Sequence, residues 1–524
     1  MPRDRHPHDL AEPDREAAEL MAFLTDPASY ADRPDRIETI ETHAARVILA
    51  GDKAFKIKKR VKLPFLNFTT LAERQRALAR ELELNRDQAP EIYIGLVDIG
   101  RQPDGTLAFG TGDPVEAALA MHRFDQEQLL AHVAEQGPLP REIGKALADM
   151  AVRYHRAAPL VLGLSGAAIM HDTVANLAAS LVDAAPPAVQ PRADEFHRRS
   201  LAEVERLAPL LDARGQAGHV RRCHGDLHLG NIVMLDGRVV PFDALEFDER
   251  LATIDVLYDL AFLLMDLDVR GYRNAANVVL NAYVGAAPTG HEIEGLAALP
   301  LFLATRAAVR GLVALESALQ NPQGDDTQHI ARATAYITAA NRYLTPVQPT
   351  LIAVGGLSGT GKSTLAAHLA PIIDPSPGAL ILRTDVERKH MFATPETERL
   401  SPEHYSEQVS DRVYAALYAK AEHALAAGHS VIFDGVSAKP EERESIAAIA
   451  KRTGARFAGL WLEAPLATQI ARVEARRGDA SDSDAAVVCA QAERNIGPLS
   501  WTRIDAGRTP EHTLDQARRA LAAL

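Results

Sequence analysis

The residues best suited to chemistry fall in two short stretches. In the first, Cys223-His-Gly-Asp-Leu-His-Leu-Gly-Asn-Ile-Val233, Asp226 stands five residues before Asn231, and Asp243 follows twelve residues later. Moving a γ-phosphoryl group from ATP to a hydroxyl calls for three such groups. One carboxylate orients the hydroxyl and takes its proton, while an amide oxygen and a second carboxylate hold Mg²⁺ against the phosphates. The competing reading is an irregular acidic turn whose Asp and Asn only cap backbone groups. That reading requires three chemically matched positions to coincide.

The second stretch, Leu351-Ile-Ala-Val-Gly-Gly-Leu-Ser-Gly-Thr-Gly-Lys-Ser-Thr-Leu365, is an apolar strand, a G-x-x-x-x-G-K-S loop beginning at Gly356, and a helix start. Gly356, Gly359 and Gly361 let the backbone wrap closely around phosphates, whose charge faces the amides and the positive end of the helix, with Ser358 and Thr360 in the same nucleotide-binding loop. Lys362 reaches the β- and γ-phosphates, Ser363 ligates Mg²⁺, and Thr364 completes the nucleotide-binding run. Downstream, Ser430-Val-Ile-Phe-Asp434 is an apolar strand ending in a carboxylate. Leu380-Ile-Leu-Arg-Thr-Asp385 is another, with Arg388 one turn further on. Arg472, Arg476 and Arg477 recur at four- and five-residue spacing on a helix that runs into a small polar loop, as a phosphate-covering lid requires; a solvated helix face is the bland alternative.

The first stretch resembles the aminoglycoside-phosphotransferase family of kinase-like enzymes, whose signature H-G-D-x-H-x-x-N is matched by His224, Gly225, Asp226, His228 and Asn231. The resemblance implies Asp226 as catalytic base, Asn231 and Asp243 as metal ligands, and Lys56 as the lysine that pairs with ATP. Glu81 is the implied helix partner of Lys56, with Lys58 and Glu83 as nearby competitors. The match departs in one place: Glu41-Thr-His-Ala-Ala-Arg46 stands where a glycine-rich phosphate cover is expected. His228 and Glu246 read as residues that orient their neighbours, Asp255 and Asp259 as buried partners of the catalytic loop, and Cys223 as a small buried residue.

The second stretch resembles the P-loop kinases that include gluconate kinase, polynucleotide 5′-kinase and the zeta-toxin family. That resemblance implies Asp385 as the base for the acceptor hydroxyl, Arg388 as a substrate anchor, Arg472 and Arg476 as lid arginines binding nucleotide, and Asp434 with Ser363 at the metal. Taken whole, the chain resembles bacterial fusions of the two kinase types. The fold implied is multidomain: an N-terminal α+β bilobal protein-kinase-like part and a C-terminal α/β P-loop part with a parallel sheet.

The elements that must position these residues can be read in outline. Ile37 to Ile40, Arg46 to Ala50 and Lys53 to Lys58 read as strands, with Gly51-Asp52 as a two-residue hairpin turn. Leu71 to Asn85 reads as a helix. Asp183 to Pro191 is a weak break, after which Leu201, Val204, Leu207 and Leu211 recur at helical spacing. Short apolar runs from Arg222 to Phe247 precede a helix over Ile254 to Leu267. Two prolines in Leu344 to Thr350 mark the main boundary. The expected division is residues 1–345 for the first kinase domain (small lobe about 30–125, helical lobe about 126–345), 346–350 for the linker and 351–524 for the second domain.

Composition bounds the partners. The 524 residues are 47% hydrophobic and carry a net charge of −13, which fits globular domains with real cores. From Pro349 onward there are 20 basic and 22 acidic residues, against 37 and 48 before it. Neither part resembles a phosphate-coating surface, which argues against extended nucleic-acid binding, though a single strand end could fit a local pocket. Two cysteines are too few for a disulfide framework or a Cys-based zinc site. The first residues lack an apolar signal region, and the most hydrophobic stretches carry Asp259, Asp266, Arg306 and Arg310, so neither secretion nor membrane spanning is expected. The expectation is a cytoplasmic enzyme with two independent MgATP sites, each acting on a small-molecule hydroxyl acceptor. Two rivals remain: one domain catalytic with the other a regulatory nucleotide-binding module, or a C-terminal nucleic-acid 5′-end kinase. A non-catalytic scaffold would consume no ATP, yet both loops keep the charged groups chemistry needs.

Overall fold

The structure is a computed structural model that describes residues 12–42, 44–63, 66–286, 291–320 and 326–522. Its residues group into two compact units. The first comprises Met1–Pro138, Tyr154–Pro159 and Arg221–Ile254, and the second Leu139–Arg153, Leu160–Val220 and Asp255–Leu524. The helical stretch before residue 345 therefore groups with the C-terminal sheet, while the catalytic-loop segment groups with the N-terminal sheet.

The first unit is built on a six-stranded antiparallel sheet: β1 (Ile37–Glu41), β2 (Ala45–Ala50), β3 (Lys53–Lys58), β4 (Tyr93–Arg101), β5 (Leu107–Phe109) and β6 (Asp113–His122), in the order β1-β2-β3-β6-β4-β5. Ala50 pairs with Lys53 across the Gly51-Asp52 turn, where Gly51 takes the left-handed φ of +62° that such a turn demands. One face of the sheet is covered by helix α1 (Glu12–Thr25), whose Leu20 and Leu24 join Ile48, Phe55, Ile57 and Ile99 in a core cluster. The other face carries helix α2 (Leu71–Asn85), which starts in a reciprocal capping box between Thr70 and Glu73 and buries Leu78 against Leu49, Tyr93 and Leu119. The 222–247 region forms a hairpin of β7 (Ile232–Leu235) and β8 (Arg238–Pro241), with Val233 and Val240 in the same core as α2.

The second unit combines helices with a parallel sheet. The Pro186-Pro187 stretch is the turn between two helices, Gly166–Ala184 and Gln190–Gln216, that pack on each other, so the proline pair bends one hairpin and parts no domains. Helix Val256–Val269 is buried on nearly every side, as an all-apolar helix must be. Asp255 caps it, accepting from the Leu257 amide, and its carboxylate pairs with Arg214 at 2.7 Å, in place of the catalytic-loop partnership expected from sequence. Residues 292–319 are long and apolar enough to cross a bilayer, yet 67% of an 18-residue apolar window within them is buried in protein, and Arg306 lies 3.8 Å over the Tyr258 ring.

The C-terminal sheet comprises β9 (Thr350–Gly355), β10 (Leu380–Arg383), β11 (Val431–Asp434), β12 (Arg456–Glu463) and β13 (Thr502–Asp505), all parallel in the order β10-β11-β9-β12-β13. Leu351, Ile352, Ala353 and Val354 are fully buried, as continuous apolar runs are in a sheet covered on both faces. Asp385 does not end a strand. β10 stops at Arg383, and Asp385 lies in the first turn of helix α3 (Thr384–Met391), because Thr384 already takes helical geometry.

His429, just before β11, is fully enclosed, and burial pulls its pKa from 6.5 down to about 4. The folded value lies below the unfolded one, so the native state binds fewer protons. Stability should therefore be full above about pH 6.5 and fall towards pH 4, by on the order of 3 kcal/mol if nothing compensates. Denaturation midpoints across pH 4–7 check this, and His429→Leu should flatten that part of the profile.

Candidate functional site

In the first unit, strand periodicity puts Lys56 and Lys58 on one face of β3, where both meet the same carboxylate. Lys56 Nζ donates to Glu81 Oε1 at 2.6 Å and Lys58 Nζ to Glu81 Oε2 at 2.8 Å. The choice between the two lysines left open by sequence thus dissolves, since α2 holds Glu81 between them. Glu83 points elsewhere, 69% exposed and paired with Arg80. Lys56 also reaches Asp243 Oδ1 at 2.5 Å, and Lys58 reaches Glu246 Oε1 at 2.6 Å. Burial opposes the Lys56 charge, but Asp243, Glu81 and Glu246 overcome it and hold its pKa well above normal. Burial pushes Glu81 up despite its two lysines. For Asp243 the balance reverses: burial raises its pKa, yet Lys56 and Lys58 prevail and hold it below the ordinary carboxylate value.

Asp226, Asn231 and Asp243 come together through hydrogen bonds between two loops. Asn231 Nδ2 donates to Asp226 Oδ2 at 2.9 Å and to the Asp226 carbonyl at 3.0 Å. Its amide nitrogen committed, Asn231 presents a carbonyl oxygen as the group a metal would use. His224 is fully buried; its Nδ1 accepts from the Asp226 amide, so Nε2 donates to Phe242 O at 3.0 Å. The Phe242 amide donates to Asn231 O, and the Leu245 amide to His224 O. Gly225, at φ +84°, lets the loop pass Leu245 and Ala252, whose Cβ atoms would lie 3.1 and 3.2 Å from an added Cβ. Asp243 itself sits at φ +61°, an uncommon conformation for a non-glycine residue. Its amide donates to the Tyr93 hydroxyl at 3.0 Å, and the next amide, Ala244, donates to Asn85 Oδ1 at 2.9 Å. His228 Nδ1 accepts from the Gly230 amide, leaving Nε2 facing Asp226 Oδ2 at 3.4 Å. His224, Tyr93 and Asn85 had no assigned task from sequence; Asn85 is visible there only as a polar residue closing a helix.

The 41–46 turn carries charge in place of glycine: Arg46 and Lys59 pair with Glu41 at 2.7 and 3.0 Å. His43 lies outside the described residues.

In the second unit, Gly356, Gly359 and Gly361 of the G-x-x-x-x-G-K-S loop all take positive φ (+141°, +79° and +94°). At Gly359 a Cβ would stand 2.5 Å from Gln469 O, so only glycine lets the loop approach that helix. The loop feeds helix α4 (Lys362–Leu369) and lines a cavity of about 1580 Å³. Lys362 Nζ donates back to Leu357 O at 3.1 Å; burial lowers its pKa, against the pull of Asp434 and Asp385. Ser363 Oγ donates to Asp434 Oδ2 at 2.6 Å, which brings the hydroxyl and the strand-end carboxylate together. Thr360 is buried and Thr364 exposed, while the Ser358 amide donates to Gln491 Oε1 at 2.8 Å.

Asp385 lines the same cavity, and burial, reinforced by the Asp434 charge, raises its pKa despite Arg383 and Lys362. Arg388 lines it too, but its Nη1 donates to His404 O at 2.7 Å and its Nη2 to Ser410 at 3.2 Å, with the guanidinium over the Tyr405 ring. Arg472 donates to Thr360 O at 3.4 Å, and Arg476 buries an Nη1 that has no hydrogen-bond partner. Arg477 turns back onto Glu474 O and Arg476 O. Sequence reasoning missed what fastens the loop of residues 479–484. Asp479 pairs with Arg383 at 2.9 Å, Asp482 with Lys389 at 2.8 Å and Asp484 with Arg399 at 2.8 Å. Arg383 also approaches Asp434 at 3.2 Å. A cation inside the apolar run Leu380-Ile-Leu-Arg383 was the available signal.

Both donor sets are oxygen-only and acidic, as a hard divalent cation such as Mg²⁺ prefers. The partnerless Arg476 nitrogen beside a glycine loop fits a polyphosphate.

A family model described as Phosphotransferase enzyme family matches residues 8–296, more than half of the chain. The chain belongs to the phosphotransferase enzyme family. A second model, described as AAA domain, matches residues 351–496 of this phosphotransferase. An uncharacterized protein of Mycobacterium tuberculosis is 31% identical over 497 residues, covering 92% of this chain and 94% of the relative, and one of Mycobacterium bovis matches equally. Among solved structures, Plasmodium vivax ethanolamine kinase (12% identity, TM-score 0.41) covers 64% of this chain and 95% of its own. A choline/ethanolamine kinase family protein of Mesorhizobium loti (17%, 0.36) covers 63% and 99%, and a gluconokinase of Sinorhizobium meliloti (19%, 0.25) covers 34% and 93%. None of these structural likenesses bears on what this phosphotransferase binds. The chain thus joins a region of the phosphotransferase enzyme family to a P-loop region that matches the AAA-domain model.

Removing Glu81 takes one of two carboxylate partners from each of two buried ammonium groups, so Glu81→Ala should cost about 3–5 kcal/mol in chemical denaturation. Glu83→Ala, at an exposed pair, should stay within about 0.5 kcal/mol.

Proposed function

We propose that this phosphotransferase carries two kinase sites, each moving the γ-phosphoryl of MgATP to a hydroxyl of a small molecule, with residues 1–345 holding one and 351–524 the other. The observation that carries the reading is the convergence of Asp226, Asn231 and Asp243 beside the Lys56–Glu81 pair. In the first site Asp226, oriented by Asn231 and His228, takes the hydroxyl proton; Lys56 pairs with the nucleotide phosphates; Asn231 and Asp243 hold the metal. In the second, the 356–363 loop and Lys362 cradle the phosphates, Arg472 and Arg476 cover them, and Ser363 with Asp434 holds the metal. Asp385, its pKa raised by burial, is suited to accept a proton near neutral pH. Arg388 braces the acceptor wall. Bound Mg²⁺ supplies charge neutralisation of the phosphates at both sites.

The C-terminal cavity is also lined by Glu407, Asp411, Glu442, Asp482 and Asp484, of which Glu407, Asp482 and Asp484 pair with Lys439, Lys389 and Arg399. Neither Cys223 nor Cys489 is in a disulfide, as suits a cytoplasmic protein.

Asp226→Ala and Lys362→Ala, made separately and screened for ATP consumption against hydroxyl compounds, should each abolish a different activity, by about a hundredfold or more. Loss of one activity by one variant, with the other silent throughout, would make the second site a regulatory nucleotide-binding module.

A further inference from the structure

The order of the C-terminal sheet leaves β10 (Leu380–Arg383) at an edge. An edge strand presents alternate N–H and C=O groups with no neighbouring strand to meet them. Here the Leu380 amide turns inward and donates to Ser430 O, while the Ile381 amide and the Ala379 carbonyl turn outward. Both outward groups are met by side chains of helix α5 (Arg273–Gly285). Asn281 Oδ1 accepts from the Ile381 amide at 2.7 Å, and Ala379 O accepts from Asn277 Nδ2 at 3.0 Å and Asn281 Nδ2 at 3.2 Å. One turn earlier, Arg273 pairs with Asp374 Oδ1 at 2.7 Å and donates to Ile373 O.

Arg273, Asn277 and Asn281 thus form a polar ladder at four-residue spacing, on one face of a helix whose Ala276, Val279 and Leu280 are fully buried. A buried amide on an otherwise apolar helix is costly unless both its groups are paired; the strand backbone meets both groups of Asn281 and the nitrogen of buried Asn277, whose Oδ1 accepts from Asn281 Nδ2 at 3.2 Å. The approach is close: a Cβ on Gly378 would lie 2.7 Å from Asn277 Nδ2.

Four residues beyond Ile381 lies Asp385, with Arg388 one turn on and Arg383 between. We infer that Arg273, Asn277 and Asn281 act as a surrogate strand that completes the C-terminal sheet and positions β10 and the start of α3, making them positioning residues for the second site. The C-terminal kinase region then depends on a helix from the preceding region. This rests on the kinase reading of the P-loop region only for its functional consequence; the clamp is a matter of backbone protection.

Hydrogen exchange on the full chain tests it. In Asn281→Leu the Ile381 amide should exchange about tenfold faster, and the faster exchange should extend through Thr384–Met391, while MgATP-induced protection of residues 356–363 stays intact. Asn277→Leu, which keeps the Ile381 contact, should give a smaller effect over the same residues, and it carries the comparison should Asn281→Leu not fold. Exchange confined to Ile381, equal effects from the two variants, or loss of protection spread evenly over all five strands would overturn the proposal. Absence of MgATP-induced protection in the unaltered chain, or its persistence in Lys362→Ala, would count against the nucleotide-binding reading and leave the clamp comparison standing.

Discussion

Glu81 between Lys56 and Lys58 is the interaction on which the first unit turns. Two ammonium groups on one strand face cannot be enclosed without a carboxylate, and one carboxylate serves both because its two oxygens point to different lysines. That arrangement ties α2 to β3. The remaining valence of each lysine then reaches Asp243 and Glu246, so the loop carrying the proposed metal ligand is held by charge as well as by the Tyr93 and Asn85 hydrogen bonds.

The same economy governs the second unit. Groups suited to phosphate or metal rest on protein partners: Lys362 on Leu357 O, Ser363 and Arg383 on Asp434, Arg472 on Thr360 O. The loop of residues 479–484 is fastened by three aspartates meeting three cations from residues 383–399. A row of opposite charges of this kind holds a loop in register and weakens as salt rises. Lys389, fully buried, is the member that most needs its partner, because an unpaired ammonium there would bear the whole cost of dehydration.

Much of this was legible beforehand, and the reasons are local. The Gly51-Asp52 hairpin, α2 with its Thr70–Glu73 box, and the strand–loop–helix around Gly356 are set by residues within a few positions of one another. Apolar periodicity and turn chemistry read such pieces directly. Less legible was anything joining distant positions. Whether Lys56 or Lys58 met a carboxylate could not be ranked from spacing, since both lie on one strand face and the structure uses both. Asp255 read as a partner of the catalytic loop and instead holds Arg214, forty-one residues away. Arg388 read as a substrate anchor, and its contacts with His404 O and Ser410 Oγ were not visible in the sequence.

Residue type and short spacing determined which groups could move a phosphoryl: the D-x-x-x-x-N loop, the later Asp243 and the G-x-x-x-x-G-K-S turn carry their chemistry in the side chains themselves. Only the tertiary structure decided how those groups are held. His224 links one loop to the next, Asp479, Asp482 and Asp484 find their cations, and Asn277 and Asn281 close a sheet edge some hundred residues along the chain. The physical reason is that hydrogen bonds and ion pairs depend on distance in space, and chain separation constrains that distance only within a strand, a turn or a helix.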